Sequence, residues 1–222
     1  MKVILTGVTG FVGHEVLKQC LENPSITSVV ALSRRELPSS VMSNPKLKVT
    51  IMNDFLSYSE STLEDLKGAK ACIWSLGKPY ISNNELARKV SIDYTLAAAK
   101  IFDQQLSSGP GKGEKFRFVY CSGAATERDQ TRSLWFAQEY RRIRGQVESD
   151  LLSFAEKHEE TFQACVLRPA MILSKETNLR SLIFSLGPSI RVDALAAAML
   201  RVALNGSVDQ TLENPMIKQL AA

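Results

Sequence analysis

A glycine-rich turn near the amino terminus constrains the fold of this chain more than any other feature. Residues 3–5 form a short apolar run typical of a β-strand, and Gly7, Gly10 and Gly13 follow it at three-residue spacing. An amphipathic pattern of helical period follows over residues 12–21. Strand, glycine turn and helix in this order are the context in which a loose glycine pattern predicts a dinucleotide-binding site.

Each of the three glycines is expected to meet a different steric demand. Gly7 makes the tight exit from the strand, Gly10 leaves room for a phosphate, and Gly13 lets the helix pack closely on the strand. The helix N-terminus presents backbone N–H groups whose partial positive charge attracts a pyrophosphate. An ordinary glycine-rich turn is the alternative. The residues predicted to contact the cofactor here are Gly7, Thr9, Gly10, Phe11, Val12 and Gly13.

Short apolar runs alternate with longer amphipathic stretches along the rest of the chain. This alternation predicts an α/β fold, a doubly wound parallel sheet (Rossmann) with helices on both faces. The length of 222 residues suits one such domain, so residues 1–222 are expected to form a single dinucleotide-binding domain. Residues 170–192 are then the substrate-side loop region, and the C-terminal substrate region is minimal. Strands are predicted at residues 3–5, 28–32, 47–52, 71–75, 116–121 and 162–167, and helices at residues 83–105, 134–157 and 192–205.

Composition narrows the function classes. The net charge of +4 comes from mixed basic and acidic residues, which argues against a nucleic-acid partner. Four cysteines without a C-x-x-C pair, together with only two histidines, argue against a metal site. No apolar run approaches the roughly 18 residues that a membrane span needs. The early first strand leaves no room for a cleaved targeting peptide, so a cytoplasmic location is expected.

The end of the second strand predicts which dinucleotide is preferred. Rossmann proteins that use NAD(H) place a carboxylate there, which binds the ribose hydroxyls and repels a 2′-phosphate. This chain instead has Ser33, Arg34 and Arg35. A guanidinium group is a planar fork of donors that suits a phosphate, so NADP(H) is the predicted cofactor. The alternative is that both arginines simply face solvent.

Three further regions carry open alternatives. After the third strand, Asp54 could accept a hydrogen bond from the adenine amino group or could cap a turn. Trp135 and Phe136 could line an apolar substrate pocket or pack the following helix onto the core. The polar segment 126–132 could close over a substrate, although a solvated loop is the favoured interpretation.

The catalytic candidates lie after the fifth strand. Ser122 ends this strand, and Tyr140 and Arg144 are four residues apart on the next helix, so they share one face. With the other motifs, they resemble atypical and extended short-chain dehydrogenase/reductases, above all the small members related to the Tat-interacting-protein oxidoreductase, including fungal ones. The matching segments are residues 6–13, Arg34-Arg35, Asn53-Asp54-Phe55, Ser75-Leu76-Gly77, residues 90–95, Ser122-Gly123-Ala124, residues 140–148 and Leu167-Arg168-Pro169-Ala170.

The resemblance implies an NADPH-dependent reductase acting on an apolar or carbonyl-bearing small molecule. Tyr140 would be the general acid, Ser122 would orient the carbonyl oxygen, and Arg144 would replace the family's lysine beside the nicotinamide ribose. Since lysine is the family's residue, Arg144→Lys is expected to retain or raise activity. A non-catalytic NADP(H)-binding regulator, or a non-redox isomerase or cyclase, are the alternatives.

The resemblance also implies further cofactor and substrate contacts and a homodimer formed through the long helices. Pro169 and Ala170 would pass close to the nicotinamide. The remaining implied residues are Asp54, Phe55, Ser75, Leu76 and Gly77 at the cofactor, and Asn178, Arg180 and Phe184 at the substrate pocket.

Overall fold

The computed structural model describes residues 1–77, 83–107, 114–176 and 187–222, and its centre is a seven-stranded parallel sheet. The strand order is β3-β2-β1-β4-β5-β6-β9, which confirms the predicted doubly wound fold. β7 (Met171–Leu173) and β8 (Ser189–Arg191) form a separate two-stranded parallel sheet. The strands of the main sheet are β1 (Lys2–Thr6), β2 (Ser28–Ser33), β3 (Leu47–Ile51), β4 (Ala69–Trp74), β5 (Phe116–Cys121), β6 (Phe162–Arg168) and β9 (Thr211–Glu213).

Helices cover both faces of the sheet, so its central strands are apolar on both sides. α1, α7 and α8 pack on one face, and α3, α5 and α6 pack on the other. A π-helical turn, Lys89–Asp93, joins α4 to α5. The helices are α1 (Phe11–Glu22), α2 (Ser39–Met42), α3 (Glu60–Leu66), α4 (Asn84–Arg88), α5 (Tyr94–Leu106), α6 (Gln138–Lys157), α7 (Val192–Asn205) and α8 (Asn214–Ala221).

Alternating side chains of each strand enter the two cores. In β1, Val3 and Leu5 contact the α1–α7 layer, whereas Ile4 contacts the α5–α6 layer. An aromatic cluster fills the second layer, where Trp74 and Phe118 lie 5.6 Å apart between ring centroids. These two cores hold the strands in register and bring their carboxyl ends to one edge, where ligands bind in this type of sheet.

The structure differs from the sequence-based prediction in three respects. The helix predicted from residue 134 begins at Gln138, because Ala137 adopts a left-handed conformation with φ of 44°. The long helix predicted over residues 83–105 is interrupted by the π-helical turn. The short strands β7, β8 and β9 have three residues each, which is too few for a periodicity to be recognised. Within the described ranges, no helix is both long and apolar enough to span a membrane.

Candidate active site

The glycine turn after β1 forms a cradle of backbone N–H groups. Gly7 has φ of 68°, and a Cβ there would overlap the backbone carbonyl of Ser75. The Gly10 N–H donates to the Gly7 carbonyl (2.8 Å), and the His14 N–H donates to the Gly10 carbonyl (2.9 Å) as the first bond of α1. The N–H groups of residues 11–13 therefore precede the helical ladder, and no side chain caps them. They are available to an anion at the helix N-terminus.

Close packing behind the cradle explains why Gly13 must be glycine. A Cβ at Gly13 would overlap the Gly7 carbonyl and approach the Ser75 hydroxyl. That hydroxyl donates to the Thr6 carbonyl (2.7 Å), and the Ser75 N–H donates to the Thr6 hydroxyl (3.2 Å). Ser75 therefore joins the ends of β1 and β4 beneath the cradle.

A pocket of about 330 Å³ adjoins the cradle at the tip of β2. Ser33 bends this tip, since its hydroxyl donates to the Arg35 carbonyl (2.7 Å) and accepts from the Arg35 N–H (3.3 Å). Arg34 and Arg35 are exposed and also line the pocket, and no ion pair engages them in the described part of the chain. The pocket lining is Gly7, Val8, Thr9, Leu32, Ser33, Arg34, Arg35, Phe55 and Leu76.

The loop after β3 supplies one apolar wall and one ion pair near this pocket. Phe55 is buried edge-on against Trp74, with 6.0 Å between ring centroids. The Asp54 carboxylate accepts from the Leu56 N–H (2.9 Å) and from Lys89 Nζ (3.1 Å). These two donors lower the pKa of Asp54. Asp54 thus caps a turn, as one alternative predicted, while its contact with adenine stays a prediction.

Arg144 of α6 lies at the carboxyl ends of β4 and β5. Its guanidinium donates to the Cys121 carbonyl (2.5 Å) and lies 5.0 Å from the centroid of the Tyr120 ring. A Cβ on Gly77, after β4, would be 3.4 Å from the same group. Burial alone would lower the pKa of Arg144, but Tyr120, Tyr140 and other neighbours raise it above its ordinary value. Arg144 is therefore a fixed cation.

Tyr140 precedes Arg144 by one helical turn and is half-buried. Its phenol is among the groups that raise the pKa of Arg144, and the four-residue spacing places the two side chains on one face of α6. The Tyr140 hydroxyl forms no hydrogen bond with any residue that the structure describes. The pair combines a proton donor with an adjacent positive charge.

Ser122 does not present a free hydroxyl to this pair. It is buried, and its hydroxyl donates to the Glu148 carboxylate in a short hydrogen bond. The Thr126 hydroxyl lies 3.1 Å from Ser122 Oγ. An ionised carboxylate can only accept, so the Ser122 proton is directed to Glu148 and Thr126 donates to Ser122.

Glu148 is the centre of a buried ionic network that sequence reasoning missed. It is fully buried, and Arg128 Nε donates to it at 2.7 Å. Arg168 Nε lies 3.1 and 3.0 Å from its two carboxylate oxygens, and Arg168 also pairs with Glu213 (3.2 Å). Arg128 also donates a hydrogen bond to the Thr211 hydroxyl (2.9 Å). The network joins α6, β6 and β9. The one indication of it in the sequence was that Glu148 and Arg168 lie within two of the segments that resemble the short-chain family.

The polar segment 126–132 is a loop whose residues 129–132 are exposed, as the favoured interpretation predicted, whereas residues 126–128 pack on α6. The Glu127 N–H donates to the Arg141 carbonyl (3.1 Å). A Cβ at Gly145 would overlap the Glu127 carbonyl, so glycine permits this approach. The segment also positions Arg128 to donate its hydrogen bond to Glu148. It is therefore part of the support beneath the site.

The chain after β6 is also anchored by hydrogen bonds. The Pro169 carbonyl accepts from the Ala124 N–H (2.8 Å), and the Ala170 N–H donates to Asn214 Oδ1 (3.0 Å). Both residues lie at the carboxyl end of β6, whereas their contact with nicotinamide stays a prediction. Asn178, Arg180 and Phe184 lie outside the described residues, as do residues 108–113.

Trp135 and Phe136 do not pack α6 onto the core, and their place at an apolar substrate pocket stays a prediction. Trp135 is 92% exposed and Phe136 44% exposed, so neither packs α6 onto the core. Their rings contact each other, and the Arg141 guanidinium lies 4.6 Å from the Phe136 ring. Among the described residues, Phe136 is the one aromatic residue whose ring contacts Trp135. The described residues also hold no group of three or more His, Cys, Asp or Glu side chains placed to bind a metal ion.

Comparison with known proteins identifies two fungal relatives, while no family model matches the chain. Leucinostatins biosynthesis cluster protein T from Purpureocillium lilacinum is 37% identical over 123 residues, which are 55% of this chain and 42% of that protein. The chain thus matches less than half the length of this relative. Protein fmp52, mitochondrial, from Aspergillus fumigatus is 27% identical over 180 residues, which are 80% of this chain and 69% of that protein.

Solved structures share the fold at low sequence identity. Yeast methylglyoxal/isovaleraldehyde reductase Gre2 complexed with NADPH aligns with a TM-score of 0.73 at 15% identity over 96% of this chain and 77% of that one. A short-chain dehydrogenase/reductase from Saccharomyces cerevisiae gives 0.72 at 13% identity over 99% and 98% of the two chains. The chain therefore shares the Rossmann-type fold of these two proteins.

Proposed function

We propose that this chain is an NADPH-dependent reductase of the short-chain type that acts on a carbonyl-bearing small molecule. The observation that carries the proposal is the Tyr140–Arg144 pair at the carboxyl edge of β4 and β5. This pair lies on the same edge as the glycine cradle and the arginine-lined pocket. A proton donor, a fixed cation and a phosphate cradle on one sheet edge are the parts that such a reduction needs.

The residues present fit NADP(H). The free N–H groups of residues 11–13 suit the diphosphate, and the pocket beside them is walled by Phe55 and Leu76. Arg34 and Arg35 would hold the 2′-phosphate, because two guanidinium groups that form no ion pair with any described residue favour a dianion beside the pocket. Gly77 and Arg144 would face the nicotinamide ribose, and Pro169 and Ala170 the nicotinamide. Two of the structures with this fold, both named Gre2, are complexes with NADPH.

Bound NADPH would supply the hydride that reduces the carbonyl carbon. The Tyr140 hydroxyl would donate its proton to the carbonyl oxygen of the substrate, since no group of the described chain accepts a hydrogen bond from it. The Arg144 guanidinium would stabilise the phenolate left on Tyr140 by Coulomb attraction, which is strong at a half-buried site. The Glu148 network would keep α6 at a fixed height above β5 and β6.

A second candidate is a regulator that binds NADP(H) without turnover, and the position of Ser122 favours it. The resemblance assigns Ser122 to the carbonyl oxygen, yet its proton is held by Glu148. A site with one proton donor in place of two stabilises the developing oxyanion less. Binding without chemistry would then be the retained activity.

Turnover measurements separate the two candidates. NADPH oxidation is followed with a panel of aldehydes, ketones and quinones, for the wild type, Tyr140→Phe and Ser122→Ala. A reductase predicts turnover of at least one compound and a loss of about 10³-fold in Tyr140→Phe with unchanged NADPH affinity. Ser122→Ala should lose less than about tenfold, because its hydroxyl serves Glu148. Tight NADPH binding without turnover of any compound would favour the regulator.

A cytoplasmic location and a homodimer are also proposals. All four cysteines are free, and three of them are buried, which suits a reducing compartment. The A. fumigatus relative is named mitochondrial, so a fluorescently tagged chain should be imaged against both compartments. Sedimentation of the purified chain measures its oligomeric state.

A further inference from the structure

The guanidinium of Arg144 occupies a slot with three different walls. The face of the Tyr120 ring forms the floor, at 5.0 Å from centroid to guanidinium carbon. The Cys121 carbonyl accepts a hydrogen bond at one edge (2.5 Å), and Gly77 leaves space at another edge. The ring and the guanidinium are both buried. These walls restrain position and orientation together.

A planar guanidinium suits this slot better than an ammonium group. Arginine can stack on an aromatic face while its edge donates to a carbonyl, whereas lysine offers a compact point charge on a flexible stem. A lysine at position 144 would satisfy the carbonyl or approach the ring, but would not fill both places. The structure thus argues against the sequence-based expectation that Arg144→Lys retains or raises activity.

Building on the proposed function, we propose that Tyr120 is a positioning residue for Arg144. Its ring holds the guanidinium of Arg144 in place beside Gly77, and this contact makes the site specific for arginine. The Tyr120 hydroxyl takes no part, because it is buried without a hydrogen-bond partner in the described chain. The ring is therefore the functional element and the hydroxyl is dispensable.

The groups that face Arg144 are few. Tyr120 and Cys121 approach from β5, and Tyr140 and Glu148 approach from its own helix. Glu148 is already paired with Arg128 and Arg168. Removal of the Tyr120 ring would therefore free Arg144 without breaking an ion pair.

The experiment compares Tyr120→Phe, which keeps the ring, with Tyr120→Leu, which removes it. NADPH affinity is measured by calorimetry, and kcat/KM with any compound that is turned over. We expect Tyr120→Leu to weaken NADPH binding and kcat/KM each by about tenfold, and Tyr120→Phe to change both by less than about twofold. Tyr120→Phe should also melt at the same or a higher temperature, because it removes an unsatisfied buried hydroxyl.

A double-mutant comparison tests the specificity for arginine. Arg144→Lys should cost about tenfold in NADPH affinity in the wild type, but only about twofold in the Tyr120→Leu background, where the stack is already lost. Equal effects of Tyr120→Phe and Tyr120→Leu would overturn the proposal. So would wild-type affinity in Arg144→Lys.

A readout without cofactor keeps this test separate from the proposed function. The Nε–H proton of Arg144 should be shifted upfield in the NMR spectrum by the ring current of residue 120. The shifted resonance should be present in the wild type and Tyr120→Phe, and absent from Arg144→Lys and Tyr120→Leu. Absence from the wild type would refute the stack even if NADPH binds. Its presence in a chain that binds no NADPH would refute the reductase and leave the stack standing. If Tyr120→Leu does not fold, the test of the stack rests on two observations. The shifted resonance must be present in the wild type and absent from Arg144→Lys.

Discussion

The two halves of the site are built in different ways. The adenosine half, around β1 and β2, consists mainly of backbone, namely the N–H groups of residues 11–13 and the bent tip at Ser33. The catalytic half, around β5 and β6, consists of long side chains that meet across the fold, with Glu148 at their centre. A backbone site tolerates few changes in backbone shape, whereas a side-chain site depends on distant partners. Substitutions can therefore separate the two.

The largest expected effect concerns the ionic network of the catalytic half. Glu148→Gln keeps the shape of this buried side chain but leaves the partly buried Arg128 and Arg168 without their shared anion. Breaking one partner of a buried ion pair costs about 3–5 kcal/mol, and the free energy of unfolding should fall by that amount in urea denaturation. Glu156→Gln, an exposed position on the same helix, is the matched control. A loss below about 1 kcal/mol would show that the network does not hold the catalytic half together.

The second effect concerns the adenosine half. Gly13→Ala places a methyl group against the Gly7 carbonyl, so the cradle must widen. Overpacking of this kind costs about 1–3 kcal/mol, and NADPH binding measured by calorimetry should weaken by up to about a hundredfold. Gly123→Ala is the control, since a Cβ there meets nothing within 4 Å. Equal NADPH affinities of Gly13→Ala and Gly123→Ala would show that the cradle does not bind the cofactor.

The third prediction sharpens the comparison within the adenosine half. Replacing Arg34 and Arg35 together by alanine should weaken NADPH binding by about tenfold, because charge-assisted contacts to the 2′-phosphate are lost. NADH binding should not change. Lys157→Ala removes an exposed cation at the far end of α6 and should affect neither coenzyme. If NADH and NADPH lose affinity equally, the arginines do not select the cofactor.

The smallest effect concerns the ion pair beside the pocket. The Leu56 N–H and Lys89 lower the pKa of Asp54, so its carboxylate is ionised at neutral pH. Lys89→Met would leave this negative charge unpaired near the 2′-phosphate, and NADPH binding should weaken by about threefold, less at high salt. The added substitution Asp54→Asn should restore it. If Lys89→Met binds NADPH as tightly as the wild type, the Asp54–Lys89 pair lies too far from the 2′-phosphate to affect binding.

The adenosine half could be predicted from the sequence because its residues are close along the chain. The glycines, Ser33 and the two arginines lie on consecutive elements, and their spacing alone fixed their places. Short apolar runs likewise predicted six of the strands. The short strand β9 and the left-handed Ala137 left no periodic signal.

The catalytic half was harder, because its partners are far apart in sequence. Tyr140 and Arg144 share a helix face, which spacing can show. The bond from Ser122 to Glu148 spans 26 residues, and that from Arg128 to Thr211 spans 83. Nothing local distinguishes a buried glutamate from an exposed one on α6. Only the packed sheet shows that the hydroxyl of Ser122 serves the network.

Calorimetric titration of the wild-type chain with NADPH and with NADH tests the central claim most directly. The account predicts that NADPH binds, and at least about tenfold more tightly than NADH, because the cradle takes the diphosphate and Arg34 and Arg35 take the 2′-phosphate. Absence of binding by either coenzyme at about millimolar concentration, or equal affinity for both, would contradict it.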